Sequence, residues 1–324
     1  MFREESLITT DLRRQAARLA LLATVGLTAF KFGVAYLSGS VGVLSEGVHS
    51  LLDLISAAVA FFAVPTAGKP ADEDHPFGHG KIETLSSLFE ALLLLLAAAL
   101  IVREGLDRIE HPHPVEYQGL AILAIVVAMV VSYLVYRHNK AAAVQTESSA
   151  IHVNALHFLT DVVASAGVLV GLVLLRMTGW LVIDSVMAFG VAAYIVFISV
   201  QQVKGALLEL SDIQLPDDEI STIRRILEEF KIRTVDTGPS PVSHIIEAHD
   251  LRTRKSGATR HIDFHLVVCG HMSVDESHSV CDQIEIRIAE TLPNTSVNIH
   301  VEPCELERTA CNQSCPIYKK RIGQ

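Results

Sequence analysis

The sequence predicts an α-helical membrane domain of six transmembrane helices, followed by a cytoplasmic ferredoxin-like α+β domain. Half of the 324 residues are hydrophobic, and up to about Leu208 they form long apolar runs. Beyond Leu208 the chain alternates polar and apolar residues at the spacings of short helices and strands. We therefore expect a transmembrane domain over residues 1–208, a cytoplasmic α-β-β-α-β domain over residues 209–305 and a cysteine-containing tail over residues 306–324.

Six segments are long and apolar enough to span a bilayer, which requires roughly 20 mostly apolar residues. They are residues 16–37, 42–64, 84–108, 117–137, 150–175 and 180–203. Because lipid offers no hydrogen-bond partners, the backbone of each segment must satisfy itself as a helix.

The distribution of Lys and Arg predicts the orientation of these spans. Basic residues precede the first span, follow the sixth and occupy the segments after the second and fourth spans: Arg3, Arg13, Arg14, Lys69, Lys81, Arg137, Lys140 and Lys204. The opposite side holds only Arg103, Arg108 and Arg176. The positive-inside rule therefore places both termini in the cytoplasm. The net charge of −10 argues against a nucleic-acid partner.

The region after the spans shows the periodicity of a small α+β domain. Helices are predicted over residues 217–230 and 273–292, and strands over residues 244–254, 259–269 and 296–302. Ser273 with Glu276 three residues later is a capping-box pattern at the start of the second helix. The order α-β-β-α-β suits a small open sheet with helices on one face.

Strand alternation puts polar side chains together on the other face of this sheet. His265 falls on the polar face of the second strand, and the third strand contributes His300 and Glu302. The first strand adds His249. For any one of these residues a solvated surface position is an equally good interpretation. Taken together, the imidazoles and the carboxylate favour a zinc-type metal site.

Ionisable residues also occur within the spans, where a central charge costs about 2.5–3.5 kcal/mol. The stretch LSEGVHSLLDLIS places His49 and Asp53 on one helix face, and NALHFLTDVVAS repeats the spacing with His157 and Asp161. Two imidazoles and two carboxylates complete a tetrahedral site for a divalent cation such as zinc. The alternative is a pair of hydrogen bonds between helices, for example from His49 to Asp161.

The segment between the second and third spans, ADEDHPFGHGKIE, contains three further candidate ligands. Asp72, His75 and His79 lie among Gly and Pro, which predicts a loop. On spacing alone, a second ion site and a polar connector are equally good interpretations.

The ordered set of motifs resembles one family. His49 and Asp53 on the second span, DHPFGHGKIE, HFLTD on the fifth span, AHDLRTRKSG and IHVEPC together resemble the cation diffusion facilitator family, from the first span to Cys304. The resemblance implies a homodimeric exporter that exchanges a cytoplasmic divalent cation for protons. It further implies a bacterial inner (cell) membrane location and no enzymatic activity.

The resemblance also implies three metal sites. They are a transport site of His49, Asp53, His157 and Asp161, a loop site of Asp72, His75 and His79, and a cytoplasmic binuclear site at the dimer interface of His249, His265, His278, His300 and Glu302.

Departures from the family pattern bear on the metal and on the tail. His49 stands where many bacterial relatives have Asp, which favours zinc as the transported and regulatory metal, with cadmium, cobalt, nickel or iron(II) as alternatives. Glu302 stands where Asp is common, so the carboxylate is kept. Cys304, Cys311 and Cys315 extend beyond the match, either as a zinc site or as reduced surface thiols.

Two rival functions remain at this stage. An intramembrane metalloprotease needs an HExxH-like motif, and the sequence contains no His-Glu dipeptide. A zinc sensor or receptor explains the cytoplasmic histidines but gives no reason for a complete site within the spans.

Overall fold

The computed structural model describes residues 2–38, 41–110, 119–178, 182–231, 245–270 and 272–304. The chain divides into two compact units, residues 1–210 and residues 211–324, which we call the membrane unit and the α+β unit. Side chains are described for fewer residues, and that of His49 is among those left out.

In the described residues, the membrane unit contains six helices. They are α1 (Phe2–Ser38), α2 (Val41–Ala67), α3 (Lys81–Glu110), α4 (Gly119–Thr146), α5 (Ser149–Thr178) and α6 (Val182–Leu210). Each includes a stretch long and apolar enough to cross a bilayer, so the prediction of six spans is confirmed. Several helices extend beyond the predicted spans. Helix α4 continues nine residues past position 137, through HNKAAAVQT, because Lys and Ala favour helix without needing lipid.

Small residues allow the spans to pack closely. A methyl group on Gly105 of α3 would approach the ring of Phe189 on α6 to 2.9 Å, and one on Gly167 of α5 would approach Val191 of α6 to 2.6 Å. Helices in lipid associate through such close backbone contacts rather than through burial of large apolar side chains.

We call the end of the bundle where α2 leads into α3, and α4 into α5, the loop end, and the end where α3 terminates the far end. At the loop end the guanidinium of Arg13 on α1 donates to the carbonyl of Thr146 at 2.6 Å and lies 3.7 Å from the Glu83 carboxylate on α3. Glu83 in turn accepts the backbone N–H of Ala150 in the first turn of α5, at 3.3 Å. These buried contacts join four helices at one level of the bundle.

The described residues of the α+β unit form the predicted α-β-β-α-β order: α7 (Asp217–Glu229), β1 (Ile245–Ser256), β2 (Thr259–Val268), α8 (Val274–Thr291) and β3 (Thr295–Pro303). The sheet order is β1-β2-β3, with β1 and β2 antiparallel and β2 and β3 parallel. Helix α8 begins at the predicted capping box, because Ser273 and Glu276 each accept the other's backbone N–H. The β1–β2 turn depends on Gly257, whose φ of +58° suits glycine.

Both helices cover one face of this sheet. Ile262, Phe264 and Leu266 of β2 are fully or almost fully buried with Ile226 of α7 and Ile284 of α8. The apolar core therefore takes alternate residues of the strands. The other residues of β2, including His265, are left on the opposite face, which carries the metal-ligand side chains.

Candidate metal centres

The first candidate centre lies within the membrane unit and joins α2 to α5. Asp53, His157 and Asp161 each offer a ligand atom, and these atoms all lie within 4.8 Å of one another. His157 Nε2 is 3.0 Å from Asp53 Oδ1, and both residues are buried. Two carboxylates and one imidazole thus converge inside the bundle. The i, i+4 spacing on α5 places His157 and Asp161 on one helix face. We call this group the span centre.

Of the four predicted ligands, His49 lies outside the residues whose side chains are described. It is four residues before Asp53 on α2. The structure shows a hydrogen bond between the two spans that joins His157 to Asp53. The pair considered from the sequence, His49 with Asp161, is not tested, because the His49 side chain lies outside the described ones.

A cavity of about 1110 Å³ connects the span centre to the far end of the bundle. Its walls include Asp53 and Asp161, and they continue along α3 from Ala99 to Asp107 and Glu110. Lys31 of α1 also lines it and donates to the Ser50 hydroxyl at 2.8 Å. A cation held by the span centre therefore has a route toward the far end.

The second candidate centre lies in the loop between α2 and α3. Asp72 Oδ1 accepts the backbone N–H of His75 at 2.7 Å, and Asp72 Oδ2 lies 3.3 Å from His79 Nε2. The backbone hydrogen bond from His75, with side-chain contacts to both imidazoles, holds the pKa of the Asp72 carboxyl below its usual value. Gly78, with φ of +80°, closes the turn that returns His79 toward Asp72. The loop thus keeps an ionised carboxylate between two imidazoles, as a cation site requires.

The third candidate centre lies on the exposed face of the small sheet, and we call it the sheet centre. The strand register aligns His249 with His265 and His265 with His300, so three imidazoles form a row across β1, β2 and β3. The Glu302 carboxylate lies beneath this row, at 2.9 Å from His265 Nδ1, 3.5 Å from His249 Nε2 and 3.8 Å from His300 Nε2. The predicted polar face is present, with Glu302 hydrogen-bonded to His265 and close to the other two imidazoles.

A carboxylate that sequence reasoning missed, Asp250, lies beside the sheet centre. Its Oδ2 is 3.7 Å from His265 Nε2. Strict alternation puts Asp250 on the face opposite His249, but the strand register shifts between His249 and Arg252 and Asp250 takes a φ of +51°. Asp tolerates this left-handed conformation better than most residues. The irregularity turns the Asp250 side chain toward the imidazoles. Strand alternation in the sequence does not predict such an irregularity.

Two predicted groups stay apart from these centres or outside the structure. His278 lies on α8 with its side chain 75% exposed, 3.8 Å from Asp282 and not among the residues clustered at the sheet centre. Within the described residues, Cys269 and Cys281 are buried and form no disulfide, and burial raises the pKa of Cys281. Cys311 and Cys315 lie outside the described residues, so the zinc-binding tail remains a hypothesis.

Comparison with known proteins places this combination of spans and ligands in a class. Residues 17–211 match the family described as Cation efflux transmembrane domain, and residues 239–304 match the Cation efflux protein, cytoplasmic domain. The fold and these two matches are those of a membrane-embedded cation efflux protein. The chain belongs to the cation diffusion facilitator family, a family of transporters, and the resemblance seen in its motifs is confirmed.

Full-length relatives support the same assignment. The chain is 32% identical to the transporter sll1263 of Synechocystis sp. over 92% of its length and 93% of that protein. It is 31% identical to the cation-efflux pump FieF of Escherichia fergusonii over 90% of its length and 94% of that protein.

A solved structure of CzrB in its Zn form is similar to part of the chain. The match is 38% identical, covers 30% of this chain and 97% of the CzrB chain, and has a TM-score of 0.25.

Proposed function

We propose that the protein exports zinc from the cytoplasm in exchange for protons. The observation that carries the proposal is the span centre, where Asp53, His157 and Asp161 meet among membrane-spanning helices. Ionisable residues at that depth are costly unless they serve a cation or one another. A receptor that only senses zinc has no use for ligands at the end of a cavity that leads out through the bundle.

The ligand types favour zinc. Mixed imidazole and carboxylate donors suit Zn²⁺, whereas Mg²⁺ and Ca²⁺ select oxygen donors. With His49 the centre offers two nitrogens and two carboxylates, and the two negative charges balance a divalent cation. Cadmium, cobalt, nickel and iron(II) accept related donor sets and are the competing substrates.

Proton exchange follows from the contact between His157 and Asp53. Their 3.0 Å hydrogen bond needs a proton between the imidazole and the carboxylate. A bound cation needs a neutral imidazole lone pair and an ionised carboxylate, so a centre that carries a proton as an imidazolium or a carboxylic acid releases it when the cation binds. Alternating access comes from rocking of the bundle about the centre.

We further propose that both termini and the loop end face the cytoplasm of a bacterial cell and that the membrane is the inner membrane. The Lys and Arg distribution supports this orientation, since basic residues favour the cytoplasmic side. The cavity at the far end then leads outward.

The α+β unit is proposed to assemble two copies of the chain around metal. The match of residues 239–304 to a cytoplasmic domain of cation efflux proteins supports this role. The sheet centre, with its exposed imidazoles, supplies open coordination positions that ligands from a second copy can fill. His278, exposed on α8, is available to such a partner.

The test is zinc flux in reconstituted vesicles that contain a zinc indicator and a pH indicator. Zinc added outside should enter the lumen as protons leave it, and Asp53→Ala or Asp161→Ala should abolish both signals while leaving the protein folded. Glu73→Gln, in the exposed loop and outside the Asp72 cluster, is the control and should transport normally. Zinc binding without flux by the unmodified protein would establish the sensor instead.

A further inference from the structure

A second polar cluster lies inside the membrane unit, on the loop-end side of the span centre. It consists of Glu90 on α3, Ser56 on α2 and Asn154 on α5, all of them at most 1% exposed. The Glu90 carboxyl faces the Ser56 hydroxyl and the Asn154 amide. Ser56 is one turn nearer the loop end than Asp53, and Asn154 is one turn nearer than His157. The cluster therefore forms the next polar layer of the bundle.

The cluster lacks hydrogen-bond partners that its burial demands. Ser86 donates to Glu90 Oε1 at 3.3 Å. The Ser56 hydroxyl and the Asn154 amide approach the Glu90 carboxyl. Even so, Glu90 Oε2, the Ser56 hydroxyl and His157 Nδ1 are buried and reach no partner with hydrogen-bond geometry in the part of the chain that the structure describes. An unsatisfied buried polar atom is destabilising, and a buried carboxylate is more so.

Another buried carboxylate on α3, that of Glu83, has partners typical of a structural role and is a useful comparison. Glu83, two turns earlier on α3, accepts the N–H of Ala150 and lies beside the Arg13 guanidinium. In the described residues the cationic group that acts on Glu90 is the His157 imidazole rather than a guanidinium. A mobile cation would supply the missing partner.

His157 connects the two layers. Its Nε2 faces Asp53, whereas Nδ1, on the other side of the ring, is buried and unpaired, and the Glu90 carboxyl is close enough to interact with the imidazole electrostatically. A neutral imidazole carries a lone pair on only one ring nitrogen. His157 can therefore ligate a cation in one layer at a time, and a change of tautomer transfers it from one layer to the other.

The cavity defines the order of the layers along the route. Its walls include Asp53 and Asp161 but not Glu90, Ser56 or Asn154. The Glu90 layer lies between the span centre and the loop end, so a cation that enters from the loop end meets it first.

We propose that Glu90 is a ligand of a second divalent-cation site, which receives the cation from the loop end and passes it to the span centre through His157. The ligands are the Glu90 carboxylate and His157 Nδ1, with an oxygen donor from Ser56. The inference rests on the proposed zinc export, since it assigns a further step to the same route. The site is richer in oxygen than the span centre and holds zinc more weakly, as a transient position requires.

Binding is tested with zinc on the full-length protein in which the other described centres are disabled. The background carries Asp53→Ala, Asp161→Ala, Asp72→Ala and Glu302→Ala, and zinc content is measured by equilibrium dialysis with and without Glu90→Gln. One zinc per chain should disappear on Glu90→Gln, and Ser56→Ala should weaken its binding. Glu83→Gln, the paired carboxylate, should lower thermal stability without changing zinc content. Equal zinc content with and without Glu90→Gln overturns the site and leaves Glu90 as a buried neutral acid.

Flux separates this site from the proposed function. In the otherwise unmodified protein, Glu90→Gln should lower the initial rate of zinc uptake by about tenfold or more, in the range seen when groups supporting a metal site are lost. Glu90→Asp should restore part of that rate. Normal flux by Glu90→Gln overturns the second site alone, whereas absence of flux in the unmodified protein overturns zinc export itself.

Discussion

The sheet centre makes Glu302→Gln a sharp test of metal binding. At a zinc–carboxylate distance of about 2.1 Å, the attraction between a +2 and a −1 charge is about 4 kcal/mol in a water-like dielectric. That dielectric is appropriate because the side chains of Glu302 and His249 are 34% and 41% exposed. Since about 1.4 kcal/mol is tenfold in affinity, the full loss is about 1000-fold. The amide oxygen of Gln still offers a lone pair, so we expect a loss between about tenfold and about 1000-fold.

Without zinc the same substitution should matter little. It removes the 2.9 Å contact to His265, which is partly exposed, and such contacts contribute about 0–1 kcal/mol. The assay is calorimetric melting of a soluble fragment of residues 209–305. Zinc at 100 times its Kd stabilises by about 2.7 kcal/mol, or about 11–22 °C for a domain of this size. The same zinc concentration should raise the Tm of Glu302→Gln by at most about half of that.

Asp263→Asn supplies the matched control, because Asp263 is exposed on the same face of β2 and lies outside the sheet centre. It should keep the full zinc response. If Glu302→Gln also keeps the full response, or if its melting temperature without zinc falls by more than the surface contact allows, Glu302 is a hydrogen-bond acceptor of the apo domain and not a ligand.

Three further predictions concern stability and selectivity. Glu219→Gln leaves the buried Arg260 guanidinium without the carboxylate that it contacts at 2.8 Å, and should lower the unfolding free energy of the α+β unit by about 3 kcal/mol in urea at neutral pH. The hydrogen bond from Arg260 holds the pKa of Glu219 below its usual value. The stability from this pair is therefore present above the unfolded-state pKa and is lost as pH falls through the folded-state pKa. If the stability difference between Glu219→Gln and the unmodified protein persists on acidification, the pairing is contradicted. Gly167→Ala forces a methyl group against α6 and should lower the unfolding free energy by about 1–3 kcal/mol, measured by melting in detergent. Gly33→Ala is the control and should be neutral or stabilising, because nothing lies within 4 Å of the added methyl group. Equal melting temperatures of the two variants would contradict the close packing of α5 on α6. His49→Asp should shift metal competition in flux assays from zinc toward manganese, iron(II) or cadmium, and an unchanged profile shows that position 49 does not set the preference.

The sequence predicted what depends on periodicity and composition. The six spans follow from run length, and the capping box at Ser273 and the polar row containing His265 follow from local pattern. The sequence did not identify Asp250, because an irregularity in β1 places its side chain on the sheet face opposite to the one that strand alternation predicts. Glu90 was missed because a single carboxylate within an apolar run gives no sign of which neighbours it meets. Rotation of one helix against another decides that, and it is a property of tertiary packing.

The contacts at the loop end also bear on how the bundle moves. The guanidinium of Arg13, the carboxylate of Glu83 and the first turn of α5 form one continuous chain of contacts, buried from both lipid and water. Any movement that separates α3 from α5 at this end removes a partner from the Glu83 carboxylate, which is 1% exposed. The carboxylate would keep the Arg13 guanidinium but lose the Ala150 N–H, and an unmade buried hydrogen bond costs about 1–3 kcal/mol. We therefore expect this contact to favour the closed loop end in the proposed transport cycle.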